Sequence, residues 1–301
     1  MQYFGKNRIY FIIIAILIVL IGGLYFLVLF PQRHMPEIIS AYHHSQFFEY
    51  AAFIEKSVNE AQNKKKIDLD KVFGGIVPHH LPTTIPLLAE FYGSLKNMRD
   101  VKTFIILGPD HVDSARGDIS TSKANFITPF GQLKPNLEFI EQLEKSGFVV
   151  VDEAPFDKEI SIDSQLLLIN NLFPDSKIVP LVFRSSITNE TARTFGKMLA
   201  TLLDENTFIV ASVDFSHYLS QKQAGPIDQL SASVLGAINS RFGGLVEADS
   251  PQALTAFISA VETMGANHHA DLKILNTADF SNNRDYTTGY VSGFWGIKSK
   301  N

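Results

Sequence analysis

Six short stretches of the chain are almost wholly apolar: "VFGGIVPHH" (72–80), "VKTFIILGPDH" (101–111), "FVVVD" (148–152), "KIVPLVF" (177–183), "TFIVASVDFSH" (207–217) and "YTTGYVSGFWGIK" (286–298). Short runs rich in branched and aromatic residues predict strands, and the lack of polar alternation predicts that both strand faces are covered. Between them, apolar residues recur at helical spacing around 83–97, 136–146, 161–173, 189–204, 226–240 and 251–264. Strands alternating with helices predict one α/β domain over 71–301, its central mixed or mostly parallel sheet flanked by helices. "TSKANFITPFGQLKPN" reads as a polar loop. Residues 31–70 read as a helical stalk or linker, with helical spacing over 36–66 and a basic "NKKK" end that suits a helix carboxyl terminus. His43 and His44 on it read as surface or packing residues.

The first hydrophobic stretch is of another kind. Ile9 to Phe30 is 22 residues without a charge, and about 20 apolar residues suffice to cross a bilayer. Lys6 and Arg8 precede it and no acid occurs before Glu37. The positive-inside rule then places residues 1–8 in the cytoplasm and the main domain outside the cell membrane, held by a single-pass anchor. A cleaved signal peptide has a shorter apolar core of about 7–15 residues and a small-residue site. "FPQRHMP" offers no such site, so an uncleaved anchor is the preferred reading.

Composition narrows the partners. With Lys6, Arg8 and Arg33 set aside, the remainder carries 23 bases against 31 acids, a formal net charge of −8. An acidic body argues against nucleic acid. The chain has no cysteine, so any metal must be held by His, Asp, Glu, Asn or Met.

The candidate chemistry gathers where strands end. "GGIVPHH" delivers His79 and His80, "FIILGPDH" delivers Asp110 and His111, and "IVASVDFSH" delivers Asp214 and His217. A fourth cluster, "MGANHHAD", places Asn267, His268, His269 and Asp271 after a helix. Six of the nine histidines lie in these four places. Imidazole and carboxylate together suit a first-row metal with positions left open for substrate. A further His–Asp pair would move protons. A lone histidine at a strand end more often serves structure, and His80 and His269 are read that way. His79, His111 and His217 are read as one site. No GxSxG elbow, P-loop or GxGxxG follows a strand.

The order "VPHH", "FIILGPDH", "TPFGQL", "EISID", "VASVDFSHY" and "GYVSGF" resembles the Memo family, also called AmmeMemoRadiSam system protein B, over about residues 72–298. The resemblance implies a fold like that of class III extradiol dioxygenases, with a mononuclear non-haem metal site. It implies His79 and His111 as metal ligands, His217 as catalytic base and Asp214 as its neighbour. It also implies a metal-dependent oxidoreductase or dioxygenase-like enzyme on a small molecule, or else a peptide- or partner-binding module using the same cleft. AMMECR1-like and radical SAM proteins are implied as partners. Two departures stand out. "ISID" puts Ile160 and Asp163 where typical members have His and Glu, and Met264-Gly265 stands where many carry Cys-Gly. The third metal position then falls to Met264, which would favour copper, or to His268 or Asn267, which would favour iron(II) or zinc.

Overall fold

The computed structural model describes residues 42–61 and 66–299. In chain order the elements are β1 (Tyr42–His44), α1 (Ala51–Ala61), β2 (Lys71–Val77), α2 (Ile85–Met98), β3 (Thr103–Pro109), β4 (Ile119–Thr121), β5 (Asn125–Thr128), β6 (Gly131–Pro135) and α3 (Leu137–Lys145). There follow β7 (Val149–Val151), α4 (Ile160–Leu172), β8 (Lys177–Phe183), α5 (Asn189–Ala200), β9 (Thr207–Ser212) and β10 (His217–Leu219). The last are α6 (Gln221–Gly236), α7 (Pro251–Thr263), β11 (His268–Asn276) and β12 (Thr287–Ile297).

At the centre β8, β3, β9, β2 and β12 lie side by side; the first four are parallel and β12 runs antiparallel to β2. The apolar runs become strands because both of their faces are covered. Along β3, Phe104 and Ile106 join the core beneath α1, α2 and α4, whereas Ile105 and Leu107 join the core beneath α3, α5, α6 and α7. Phe208 and Val210 divide from Ile209 and Ala211 in the same way along β9. This is the two-residue alternation of a strand expressed between two apolar layers. The sheet is mixed: β5, β4, β10 and β11 supply antiparallel pairings around the parallel centre.

Two expectations are corrected. Residues 36–66 are not one helix: Tyr42–His44 is a strand paired with Asn125–Ile127, and among the described residues of this stretch helix starts as a 3-10 turn at Phe48–Tyr50 and continues through Ala51–Ala61. The pairing is sealed by His43, whose Nδ1 and Nε2 each lie 2.8 Å from a carboxylate, that of Asp157 and that of Glu153. Burial opposes charge on this ring, yet those two bonds outweigh it and raise its pKa. The polar loop contains the β5–β6 hairpin, turned at Gly131 with φ 129°. "HHAD", which follows α7 as expected, is the start of β11, an edge strand on β12. No helix among the described residues is long and apolar enough to cross a membrane. The expected anchor, Ile9–Phe30, lies outside the described residues.

Candidate metal centre

The strand order brings the predicted chemistry to one edge. β9 is flanked by β2 and β3, all parallel, and Val77 lies level with Ser212 while Leu107 lies level with Ala211. The residues just beyond therefore emerge together at the carboxyl end of the sheet, where open α/β sheets place their ligands. Gln165 of α4 locks two of these exits, its amide donating to the Pro78 carbonyl and to the Ser212 hydroxyl, both at 2.9 Å. Helix α4 sits this close to β3 because residue 108 is glycine: a Cβ there would run into the Ser161 hydroxyl.

His79 and His111 meet edge to face, ring centres 5.0 Å apart. Both aim Nε2 at the carboxylate of Asp249, 3.2 Å from His79 and 3.6 Å from His111. Asp214 adds a second, buried carboxylate, with Oδ2 3.8 Å from His79 Nε2 and Oδ1 accepting the His79 backbone N–H at 3.0 Å. Ligand atoms of His79, His111 and Asp249 fall within 4.8 Å of one another, and so do those of Asp214, His217 and Asp249.

Electrostatics follow from this crowding. Burial raises the Asp214 pKa, and the neighbouring Asp249 charge adds to the rise. Burial also works against charge on Asp249, but His79 and His111 overcome it and hold that carboxyl at about 2. On His111 burial is outweighed by Asp249 and Glu159, which push it up to about 10. His79 is raised as well, against its burial, by Asp214 and Asp249. So two carboxylates draw positive charge into the site, from protons on the rings or from a cation that replaces them.

The donor set fits a metal ion. Two imidazoles and a carboxylate are the ligand types of mononuclear non-haem sites. Among the described residues His79 Nδ1 and Asp249 Oδ1 are buried without a hydrogen-bond partner. Buried polar atoms are almost always paired, so these two mark an interaction the side chains alone do not complete.

Asp249 went unread in the sequence. It lies in "EADSP", ahead of α7, whose start is marked by Ser250 accepting from Ala253 N and by Pro251 in the first turn. The strand end and this loop are stitched together: Asp249 N donates to the Asp214 carbonyl at 3.0 Å, and Asp214 N donates to the Asp249 carboxylate at 3.2 Å. The available signal was an acid directly before a helix cap. Glu159 was also passed over. It is buried, accepts from Ser161 N at the start of α4, and takes both the His111 backbone N–H (2.9 Å) and Nδ1 (2.7 Å). A carboxylate on the far nitrogen of a ligand histidine fixes the ring and its tautomer.

Other predicted residues go elsewhere. Met264 closes the carboxyl end of α7, and a helix of 13 residues places it about 20 Å from Asp249. His268 pairs with Gly296, which pairs with Val72 at the amino end of β2, so His268 and Asn267 lie at the opposite edge of the sheet. None of the three reaches the cluster, which overturns the expectation that one of them completes it. Asp110 turns away to cap its loop, accepting from Ser114 N and Ala115 N. Asp163 accepts from Gln46 N at 2.6 Å, and burial pushes it up to about 6. Ile160 opens α4 beside Glu159.

The turn that presents His217 is held by Asp228, which accepts from Ser216 N and Ser216 Oγ. β12 passes this carboxylate closely enough that a Cβ on Gly289 would collide with it. Gly289 also exchanges backbone bonds with Phe215 (2.9 Å) and Ser216 (2.7 Å).

Residues 38–284 match the family described as Memo-like protein. A MEMO1 family protein of Pyrobaculum aerophilum is 26% identical over 274 residues, covering 85% of this chain and 96% of that one. One of Methanococcus maripaludis is 27% identical over 282 residues, covering 87% and 99%. The crystal structure of an uncharacterized protein, JW3007, from Escherichia coli K12 overlaps 74% of this chain and 99% of that one, with a TM-score of 0.42 at 13% identity. With residues 38–284 matched, well over half of its length, the chain belongs to the Memo-like protein family.

Proposed function

We propose that this protein is a mononuclear metal-dependent enzyme acting on a small molecule. The observation that carries the reading is the convergence of His79, His111 and Asp249 at a sheet edge with unpartnered buried atoms. One nitrogen from each ring and one Asp249 oxygen would hold the ion. Two imidazoles and a carboxylate are harder donors than a thioether, which favours iron(II) or zinc over copper(I). When bound, the metal supplies Lewis acidity, or one-electron chemistry if it is iron.

The chain's own groups do the rest. Glu159 accepts a hydrogen bond from His111 Nδ1–H and holds Nε2 toward the cluster. Asp214 fixes the turn after β2 through the His79 N–H. His217 groups with Asp214 and Asp249, part-exposed, where its ring can take a proton from a substrate hydroxyl and return it. Metal titration of the purified chain with Fe(II), Zn(II) and Cu tests the reading. His79→Ala and His111→Ala lose binding by at least about 100-fold, and His217→Ala keeps it. A wild-type chain that takes none of the three metals overturns the proposal.

A further inference from the structure

Beside the cluster, a pocket of about 360 Å³ opens between the turn after β2, strand β10 and the β11–β12 connection. That volume falls in the range of small-molecule sites. Its lining contains no lysine, arginine, aspartate or glutamate. Burying a charged ligand without a counter-charge is costly, so the pocket favours a neutral one.

Two features define its chemistry. Tyr218 and Tyr286 stand at the rim 68% and 61% exposed, their rings 5.2 Å apart and tilted by 35°. Tyr218 holds φ at 61°, a left-handed conformation that a bulky residue keeps only under constraint. The constraint is β10 itself, pinned to β12 at His217 and Leu219 with an irregular step between them. The second feature is a set of uncharged polar groups whose acceptors are already partly engaged by backbone amides. Thr277 Oγ1 accepts from Thr288 N (3.1 Å), Ser281 Oγ from Asn283 N (3.3 Å) and Asn283 Oδ1 from Asp285 N (3.1 Å). That leaves two hydroxyl protons and an amide NH2 free to donate. At the floor His80 is gripped at Nδ1 by the Tyr290 hydroxyl at 2.8 Å, which leaves Nε2 for a ligand.

We propose that this pocket is a subsite for a neutral sugar of one or two rings. The apolar C–H face of a sugar ring lies on Tyr218 and Tyr286, and its edge hydroxyls meet Thr277, Ser281, Asn283 and His80. The proportions decide against a simple phenol, whose one or two hydroxyls leave most of these groups desolvated and unpaired. Because His80 follows His79 directly, the sugar lies beside the metal centre. Its binding stands independently of the metal reading, since no lining residue is a proposed ligand.

Saturation-transfer NMR on the full-length chain, in a detergent without a sugar headgroup, tests this with glucose, galactose, N-acetylglucosamine and cellobiose, and separately with phenol. At least one sugar receives saturation, with or without EDTA. Tyr218→Ala and Tyr286→Ala, surface changes that leave the melting temperature in place, each weaken it by about two- to tenfold. His79→Ala leaves it unchanged. Transfer to none of the four sugars, transfer that is undiminished in both tyrosine variants, or phenol displacing every sugar overturns the proposal. Metal titration of the same preparation keeps that failure separate from failure of the metal site.

Discussion

Two histidine pairs sit at opposite edges of the same sheet and differ in nearly everything that matters for chemistry. At the carboxyl edge His79 is 2% exposed and faces the carboxylates of buried Asp214 and half-buried Asp249, the latter shared with the more exposed His111. At the amino edge His268 is exposed and stacks on His269 with ring centres 5.8 Å apart. Burial, with a smaller contribution from His268, lowers the His269 pKa, whereas His79 and His111 are raised against their burial. Imidazole is the same group in both places. The carboxylates that converge on the first pair make it a candidate cation site, and among the described residues the second pair has no such cluster around it.

Substitution at Asp249 breaks the comparison most severely. Asp249→Ala removes the carboxylate shared by both rings, and metal affinity falls by at least about 100-fold. Met264→Ala and His268→Ala leave it unchanged, as isothermal titration will show. A loss of binding in His268→Ala would instead move the site to the amino edge.

Changing pH gives the next largest effect, with opposite signs in two measurements. His111, held up to about 10, carries a proton at neutral pH in the metal-free protein. Metal must displace that proton, so affinity rises by about tenfold per pH unit from about pH 6 to 9. Metal-free stability runs the other way. A raised histidine pKa contributes fully below its unfolded value near 6.5, and the contribution is lost as pH rises through about 10. The melting temperature of the metal-free chain therefore falls over this range while metal affinity climbs.

Glu159→Gln is the mildest of the three. It keeps every proposed ligand but removes the carboxylate that orients His111, which costs about 10- to 100-fold in affinity. It also flattens the pH dependence, because His111 loses one of the charges that raise it. An unchanged slope would mean that Glu159 is only a helix cap.

How much of this was legible depends on the range of the interaction. The parallel strands carry their own message, since "FIILGP" and "TFIVAS" are almost wholly apolar, and the doubly covered strands bury every position. The helices flanking them read equally well, α7 from the helical spacing of its apolar residues over 251–264. β1 did not, because helical spacing over 36–66 is a local preference, overridden by pairing with β5 and by His43 between Glu153 and Asp157. In the site, His79, His111, Asp214 and His217 announced themselves at strand ends. Asp249 is an ordinary acid in a loop, 35 residues after Asp214 and joined to it by one backbone bond and one backbone-to-carboxylate bond across space.

Sequence alone thus determined the alternation of elements, the family likeness and which strand ends carry imidazole, because periodicity and side-chain type are local properties. Tertiary structure decided which ends are neighbours. Only the order β3-β9-β2 sets His111, Asp214 and His79 side by side. Only the docking of α7 brings Asp249 to them and carries Met264 to the far side. A metal site is a coincidence in space of groups that each satisfy a different stretch of chain, and burial with unpaired charge, the property that distinguishes it, exists only after the layers close.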